Sequence, residues 1–364
     1  MKKQVSFVSE HFFPNESGSE ISLRSFASSL SHDGFNVEII TTSIKGLPKV
    51  EYRDSLKIIR CLPKPFGPSV IQFFIRILWI PFLFYYAKKT QLLEGHLFNS
   101  AIVPFVIVSN LLRVSSSVVL PISDIVYFKK YRKIDFYSFK FFLKYSNIVL
   151  LKAQDINLVS DEFSVPNSKI VFIKNPIGRH KINVKSKFNF TNKLNIGYIG
   201  KLVKDKNPKM ILEIAKKMNK INFHIKGYGQ EYENLKILIK SYDLNNIRFR
   251  NNSSVEKFLS EMDIMLFPYL SEPAFSQSIM ESMKSGAASI ITDSDNMRKF
   301  VKHNKDAILI NPSLLNEWVD IISELNDNRE KIKFIGVNAN KCIVDNHLPE
   351  KFKKKWIKYV WNSI

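Results

Sequence analysis

Cysteine and acidic residues are scarce in this sequence. Only Cys61 and Cys342 occur among 364 residues, which excludes a disulfide framework and a cysteine-based zinc site and favours a reducing compartment. Lysine and arginine total 54 against 33 acidic residues, a formal net charge of +21. This excess indicates a negatively charged partner: nucleic acid, an anionic membrane or a phosphorylated substrate. Because only 11 of the 54 are arginine, and base readout in DNA favours arginine, a membrane or phosphate partner is preferred.

Several common signals are also missing. The apolar stretch behind Met1-Lys2-Lys3 spans only Val5 to Val8 and is closed by Glu10. It is too short for a signal peptide and predicts a buried first strand. No Gly-x-Gly-x-x-Gly follows that strand, which argues against a Rossmann dehydrogenase. The sequence also has no recognisable nucleic-acid-binding motif.

One apolar run is long enough to require an interpretation. Residues 70–86 read VIQFFIRILWIPFLFYY and include Gln72, Arg76 and Pro81. A membrane-spanning helix needs about 20 predominantly apolar residues, and a central arginine costs roughly 2.5–3.5 kcal/mol on insertion scales. The span is therefore disfavoured. A helix lying in the membrane interface and a buried core helix are the other two interpretations.

Strand and helix patterns alternate in two halves of the chain. The first half predicts strands at 4–9, 36–42, 56–61, 92–93, 116–120, 147–151 and 170–173, and a helix at 20–32. After a polar, basic linker at 179–191, the second half predicts strands at 194–199, 221–225, 247–250, 264–267 and 289–292. The pattern predicts an α/β protein with two Rossmann-like domains, 1–178 and 192–345, followed by a C-terminal helix at 346–364. Ligands bind beyond the carboxyl ends of such strands, so the expected site is the cleft between the domains.

The clearest phosphate-binding pattern lies in the second half. In residues 196–207, IGYIGKLVKDKN, a strand runs into Gly200 and Lys201, and Lys206 follows five residues later. Glycine lets a ligand approach the backbone, and the helix beginning near Pro208 directs its N-terminus to the same place. Two lysines would neutralise a diphosphate, each charged hydrogen bond contributing about 1.5–3 kcal/mol. A solvated basic turn is the alternative for this stretch alone.

Two more patterns follow along the chain. Gly227 and Gly229 lie at a strand end before a helix, where a plain turn is the alternative to a ligand-binding loop. In residues 271–285, SEPAFSQSIMESMKS, a helix begins near Ser276–Ser278, and its hydroxyls and N-terminus can hold a phosphate. Glu281, about one turn inside that helix, can accept hydrogen bonds from a ribose diol. Considered alone, it can also be a helix-surface carboxylate.

In order and spacing these patterns resemble the family 4 retaining glycosyltransferases, which have the two-domain GT-B fold. The family's glycine–Arg/Lys–x4–Lys, Gly-x-Gly and Glu-x7-Glu elements all have counterparts here. The matching residues are Gly200, Lys201, Lys206, Gly227, Gly229, Phe275, Ser276, Gln277, Glu281, Met283 and Gly286. Residues 11–30, HFFPNESGSEISLRSFASSL, resemble the family's turn after the first strand. The resemblance covers nearly the whole chain and is strongest in the second half.

The resemblance implies roles for these residues. Lys201 and Lys206 would bind the donor diphosphate and stabilise the leaving nucleotide as charge develops. Glu281 would hold the donor ribose, and Glu272 would lie near the transferred sugar. The other donor-binding residues that it implies are Gly18, Ser19, Gly200, Gly227, Gly229, Phe275, Ser276, Gln277 and Ser278. Configuration at the sugar carbon would be retained, and neither a metal nor another cofactor would be required.

On the donor side the sequence departs from the family at three positions. Lys201 stands where arginine is usual, so the charge is kept but the forked hydrogen-bond geometry is lost. Glu272 lies nine rather than eight residues before Glu281, which we attribute to an inserted Ala274. Ser19 replaces the second glycine of the first loop.

On the acceptor side the family's His-Asp pair reads Ser123-Asp124. Asp124 can still orient an acceptor hydroxyl and is included with the lysines and Glu272 as a catalytic candidate. His96, after the preceding strand, is a second acceptor-side candidate, with a core or capping histidine as the alternative.

The last helix combines lysines with aromatic residues. Its members are Lys351, Phe352, Lys353, Lys354, Lys355, Trp356, Lys358, Tyr359 and Trp361. One interpretation is reversible binding to an anionic bilayer, at about 1 kcal/mol per lysine near the surface, with residues 73–86 as a second anchor. The other is packing back onto the first domain, as is common in this fold.

The sequence therefore predicts a retaining, metal-independent hexosyltransferase. It would move a sugar from a nucleoside-diphosphate sugar to a glycan or polyprenyl-diphosphate-linked acceptor in the biosynthesis of a capsule, O-antigen or similar polysaccharide. We expect it in the cytoplasm, peripheral on the inner face of the cell membrane, with an anionic membrane surface and no nucleic acid as partner. The alternatives are a nucleotide-sugar epimerase of the same fold and a basic nucleic-acid-binding protein, whose binding would depend steeply on salt.

Overall fold

The computed structural model describes residues 3–14, 17–97, 99–120, 129, 132–151, 156–179, 181–185, 193–270 and 275–364. The chain divides into two compact units, Met1–Gly178 with Pro349–Ile364, and Arg179–Leu348. Each unit contains its own parallel sheet covered by helices. The predicted α/β class with two parallel-sheet domains is confirmed.

Within the described ranges, eight strands form the sheet of the first unit, in the order β3-β4-β2-β1-β5-β6-β7-β8. All neighbours pair in parallel except β3 and β4. The strand order reverses between β1 and β5, so the loops after these two strands form the expected ligand edge. The strands are β1 (Gln4–Ser9), β2 (Asn36–Thr42), β3 (Val50–Arg53), β4 (Leu56–Leu62), β5 (Leu92–His96), β6 (Ser115–Leu120), β7 (Ile148–Leu151) and β8 (Ile170–Phe172).

Helices of the first unit pack on both faces of this sheet. Alternate residues of β1 and β2 point to opposite sides: Val8 and Ile40 belong to one apolar core, and Phe7 and Ile39 to another. The helices before the second unit are α1 (Gly18–His32), α2 (Ser69–Ile77), α3 (Ile80–Ala87), α4 (Ile102–Leu112), α5 (Lys133–Phe142) and α6 (Ile156–Phe163).

Two strands of the first unit differ from their prediction. The weak strand predicted at 92–93 extends to His96 in the structure. The prediction stopped short because the polar residues Glu94 and His96, which are buried, interrupt the apolar pattern. The sequence did not predict β3, which forms an antiparallel hairpin with β4 and is largely exposed, so it carries no apolar run.

In the second unit, six strands of the described chain form an all-parallel sheet in the order β11-β10-β9-β12-β13-β14. This is the doubly wound Rossmann order, which reverses between β9 and β12. The strands are β9 (Asn195–Ile199), β10 (Asn222–Lys226), β11 (Ile247–Phe249), β12 (Ile264–Phe267), β13 (Ala288–Thr292) and β14 (Ile308–Ile310). The helices are α7 (Lys209–Lys217), α8 (Tyr232–Ser241), α9 (Val255–Glu261), α10 (Gln277–Ser285), α11 (Asp295–Arg298), α12 (Leu315–Asp327) and α13 (Arg329–Asn346).

The C-terminal helix α14 (Pro349–Tyr359) belongs to the first unit. Trp356 and Phe352 are buried against Phe26 of α1, with ring centroids 5.3 and 4.7 Å away. Lys353 is also buried, and its Nζ lies 2.9 Å from a carboxylate oxygen of Asp33. The packing interpretation of this helix is confirmed for these three side chains, which leaves them unable to contact a membrane.

Candidate donor site and acceptor-side residues

The predicted donor residues of the second unit gather where its strand order reverses. Gly200 directly follows β9, and its N–H donates to the Lys226 carbonyl at the end of β10 (3.1 Å). The backbone N–H of Leu270, beyond β12, donates to the Asp205 carbonyl (2.9 Å). The loops after β9, β10 and β12 are therefore joined by main-chain hydrogen bonds at one edge of the sheet.

Gly227 and Gly229 allow two of these loops to touch. A Cβ at Gly227 would lie 1.9 Å from the Gly200 carbonyl oxygen, and one at Gly229 would lie 2.3 Å from that of Leu202. Both distances are far inside van der Waals contact, so no side chain can be accommodated. These glycines shape the loop that carries Lys201 and Lys206. Their direct contact with a donor stays a prediction.

The two lysines of the loop after β9 occupy different environments. Lys201 is exposed, whereas Lys206 is partly buried, with Nζ 3.9 Å from the centroid of the Tyr269 ring and 3.7 Å from a carboxylate oxygen of Asp205. Burial lowers the pKa of Lys206, and the nearby Asp205 carboxylate opposes this shift. The aromatic face positions the ammonium through a cation–π contact. Lys206 is thus a fixed cation at the strand end, and Lys201 a solvated one.

Tyr269 connects this lysine to the N-terminus of α10. Burial raises the pKa of Tyr269 to about 12, and an interaction with the Ser276 side chain opposes this shift. Ser276 is the N-cap of α10, since its Oγ accepts from the Ile279 N–H (3.4 Å). Sequence reasoning did not single out Tyr269. The available signal was an aromatic residue just beyond the end of a strand at the reversal of strand order.

Glu281 lies inside α10 and is paired with Arg179. The glutamate is only 2% exposed, and its Oε1 accepts from Arg179 Nη1 at 2.8 Å. Burial raises the pKa of Glu281, and the Arg179 guanidinium opposes the shift. The helix-surface alternative for Glu281 is therefore wrong. Arg179 is a second residue that sequence reasoning did not assign to the site; it was included only in the basic linker.

The other predicted residues of this region differ in their surroundings. Phe275 is buried and stacks on Phe300, with ring centroids 4.9 Å apart and planes 7° apart, which places it in the packing beside α10. Gln277 is buried, and Ser278 is partly exposed in the first turn of the helix. Glu272 and Ala274 lie outside the described residues, so the assumed one-residue insertion and the role of Glu272 stay predictions.

In the first unit, Gly18 and Ser19 are the first two residues of α1, and the Glu20 side chain caps this end of the helix. The Glu20 carboxylate accepts from the Ser17 N–H (2.7 Å) and from the Ser19 hydroxyl (2.9 Å). This capping box satisfies the terminal groups and places a negative charge at the helix N-terminus. A donor phosphate beside Ser19 would meet that carboxylate, so phosphate contact there requires Glu20 to turn away.

His96 ends β5 and is held from the side of the core. Its Nε2 lies 3.0 Å from Glu94 Oε1, and Glu94 Oε2 accepts from Trp356 Nε1 of α14 at 2.7 Å. All three side chains are buried. The arrangement favours the core or capping interpretation of this histidine. Asp124, with Ser123, lies outside the described residues, so its acceptor-side and catalytic roles stay predictions.

Among the residues that the structure describes, no group of three or more His, Cys, Asp or Glu side chains is placed to hold a metal ion. Positive charge at the donor edge comes from side chains of this unit: Lys201 and Lys206 after β9, Lys226 at the end of β10, and Arg179. Burial, followed by repulsion from Arg179, lowers the pKa of Lys226.

Comparison with known proteins matches part of this chain to a family model. Residues 180–342 match the model of the family Glycosyl transferases group 1. Among curated relatives, a poly(ribitol-phosphate) alpha-N-acetylglucosaminyltransferase of Staphylococcus aureus is 26% identical over 217 residues, covering 58% of this chain and 42% of the relative. An uncharacterized glycosyltransferase, YqgM of Bacillus subtilis, is 21% identical over 223 residues, covering 57% and 62%. The chain therefore spans about half the length of these curated relatives.

Solved structures show the same fold over the whole chain. Sucrose-phosphate synthase from Thermosynechococcus elongatus has a TM-score of 0.82 at 15% identity, covering 99% of this chain and 98% of that one. HepE of Anabaena in complex with UDP and glucose has a TM-score of 0.79 at 14% identity, covering 100% of both. The protein has the GT-B fold, and its residues 180–342 match the model of the glycosyl transferases group 1 family.

Proposed function

We propose that this protein is a family 4 retaining glycosyltransferase. It moves a sugar from a nucleoside-diphosphate sugar to a glycan or polyprenyl-diphosphate-linked acceptor during polysaccharide assembly. The observation that carries the proposal is the joining of Lys206, the N-terminus of α10 and the buried Glu281 at the reversal of strand order in the second sheet. Ligands of doubly wound sheets bind at this place.

The reaction breaks the bond between the sugar carbon and the diphosphate, which leaves negative charge on the departing nucleotide. Lys206 and Lys201 stabilise this charge as it develops, and the N-terminus of α10 adds a partial positive charge. Glu281, ionised beside Arg179, accepts hydrogen bonds from the ribose hydroxyls. The acceptor oxygen bonds to the face of the sugar that the diphosphate leaves, and the acceptor hydroxyl proton passes to the departing phosphate oxygen. Because cationic side chains neutralise the diphosphate, the proposed mechanism uses no metal.

The relatives are compatible with these finer assignments. A relative named as an alpha-N-acetylglucosaminyltransferase fits a retaining transfer from an α-linked donor. Structural neighbours were solved with UDP and glucose, or with UDP and alpha-GlcNAc-glycerol, which makes UDP-sugars the first donors to test. The name of the first relative includes a poly(ribitol-phosphate) acceptor. A polyanionic acceptor would suit a chain of net charge +21.

Thermal unfolding with UDP-, GDP- and other nucleotide sugars tests the donor site. A ligand at about 100 times its Kd stabilises the folded state by about 2.7 kcal/mol. We expect one nucleotide class to raise the Tm, Glu281→Ala to remove the shift, and Glu317→Ala, at an exposed position of α12, to keep it. No shift with any nucleotide would contradict the proposal. If the donor sugar is converted to another isomer in the absence of an acceptor, the protein is an epimerase instead. Tight, salt-dependent binding of nucleic acid alone would favour the nucleic-acid alternative.

A further inference from the structure

The apolar run of the first unit forms two consecutive helices with one inward and one outward face. The stretch Ser69–Ala87 is long and apolar enough to cross a membrane by length and composition, but only 22% of it is buried. Its inward residues, Arg76, Trp79, Leu83 and Ala87, follow a helical spacing and are fully or almost fully buried. The stretch is therefore neither a wholly buried core helix nor a helix separate from the unit.

Arg76 fixes α2 to the ligand edge of the first sheet. Its guanidinium donates to both carboxylate oxygens of Glu10 (3.0 and 3.2 Å) and to the Ser100 hydroxyl (3.1 Å). Glu10 directly follows β1 and Ser100 lies four residues after β5. A transmembrane span would have to break this buried ion pair, which is strongly unfavourable. The helix thus stays on the protein, beside the loops where the strand order reverses.

The outward side of these two helices exposes large apolar side chains. Val70, Phe74 and Leu78 lie at i, i+4 and i+8 and are 54, 63 and 58% exposed. Phe66 precedes them, and Phe84 and Tyr85 continue the exposed surface on α3. We call Phe66, Val70, Ile71, Phe74, Leu78, Phe84 and Tyr85 the outer face. An apolar surface of this kind beside a ligand edge marks an interaction site rather than ordinary solvent exposure.

The charge around the outer face indicates what covers it. No Asp or Glu occurs between Asp54 and Glu94, whereas Lys64, Lys88 and Lys89 flank the outer face and are exposed. The neighbouring helix α5, which contacts α2, and the turn that follows it expose further lysines and aromatic residues in alternation: Lys133, Tyr137, Lys140, Phe141 and Lys144. Apolar side chains bordered by lysines complement the acyl chains and anionic headgroups of a bilayer surface.

We infer that the outer face binds the surface of an anionic lipid bilayer. The apolar side chains enter the interface, the flanking lysines contact headgroup phosphates, and the loops after β1 and β5 are held close to the membrane. This binding does not depend on the proposed function. Only its consequence, delivery of a lipid-linked acceptor to the ligand edge, rests on that function.

Sedimentation with lipid vesicles tests the inference. The full chain should bind vesicles of phosphatidylglycerol and phosphatidylcholine more tightly than vesicles of phosphatidylcholine alone. Phe74→Ser with Leu78→Ser should weaken binding at least about tenfold, because two apolar side chains no longer enter the interface. Ile237→Ser with Phe334→Ser, two exposed positions of the second unit, is the matched control and should bind as the parent does. Lys88→Gln with Lys89→Gln should reduce mainly the dependence on phosphatidylglycerol.

Unchanged vesicle binding in the Phe74/Leu78 variant, or an equal loss in the control, would overturn the inference. Self-association that the Phe74/Leu78 variant abolishes, in a chain that does not bind vesicles, would instead assign the outer face to a second copy. The Tm shift with nucleotide sugars is measured on the same samples. Vesicle binding without any Tm shift by a nucleotide sugar would overturn the proposed function but not the inference about the outer face. A Tm shift without vesicle binding would overturn the inference about the outer face but not the proposed function.

Discussion

The two units of this protein contain similar sheets but use their predicted site residues differently. In the second unit, the motif residues meet at the reversal of strand order, with Lys206 on the Tyr269 ring and Ser276 capping α10. In the first unit, the Ser19 hydroxyl serves a helix cap, and His96 is bonded to a glutamate that also holds the C-terminal helix. The predicted residues Ser19 and His96 of the first unit thus lie against carboxylates, which would repel a phosphate, whereas the second unit places a lysine and a helix N-terminus at one edge of its sheet.

The largest effect should come from separating the C-terminal helix from the first unit. Trp356→Ala removes a fully buried indole that contacts Phe26 and donates to Glu94, so we expect a loss of about 3–5 kcal/mol in the free energy of unfolding. Urea unfolding measures this loss. Trp361→Ala, at a partly buried position beyond the same helix, should cost clearly less. Equal, small costs for both variants would show that this unit does not depend on its C-terminal helix.

A substitution at the donor edge should lower turnover rather than the free energy of unfolding. Lys206→Ala removes the fixed cation at the end of β9, and we expect turnover to fall about 10- to 150-fold, the loss of one charged hydrogen bond at the transition state. Steady-state release of nucleotide from the donor measures the effect. Lys204→Ala, an exposed lysine of the same short helical turn, is the matched control and should keep parental turnover. Parental turnover in Lys206→Ala would remove this lysine from the diphosphate site.

The sequence could predict five of the six described strands of the second unit, all except β14, because the evidence for them is local. Strand periodicity, Gly200 and the cap at Ser276 are set by neighbouring residues, and they indicated the sheet edge at which the predicted residues gather. Tyr269 and Arg179 were missed because their partners, Lys206 and Glu281, are 63 and 102 residues away in sequence. Distance in sequence also explains the short prediction of β5 in the first unit. Glu94 looks like a strand end in the sequence, but its buried carboxylate accepts a hydrogen bond from Trp356, 262 residues away.

Replacing Arg179 should have a smaller effect on nucleotide affinity, and this effect should depend on pH. Burial raises the pKa of Glu281 and Arg179 lowers it, so Arg179→Gln should raise that pKa further. The ribose contact needs the ionised carboxylate, which is present above the pKa and lost as the pH falls through it. Nucleotide affinity in Arg179→Gln should therefore begin to fall at a higher pH than in the parent, by about tenfold for each pH unit below the pKa.

Calorimetric titration with the donor nucleotide between pH 8 and 5 measures this displacement. Arg248→Gln, at an exposed position of β11, should leave the profile unchanged. A uniform loss of affinity at every pH would show that Arg179 contacts the nucleotide directly and does not act through Glu281.

The smallest effect should come from the exposed lysines of the C-terminal helix. Lys354, Lys355 and Lys358 face solvent, but Phe352 and Trp356 are buried, so α14 offers charge with Tyr359 as its one exposed aromatic side chain. The side chains of α14 also join the core that contains Phe7, whereas α3 joins the core that contains Val8, on the opposite face of the sheet. A flat bilayer that contacts the outer face cannot lie within a Debye length, about 8 Å at physiological ionic strength, of both faces. Replacing these three lysines by Gln should therefore reduce binding to phosphatidylglycerol vesicles less than about threefold, against at least about tenfold for the Phe74/Leu78 variant. A larger loss from the lysine variant would move the membrane-binding surface to the face of the sheet covered by α14.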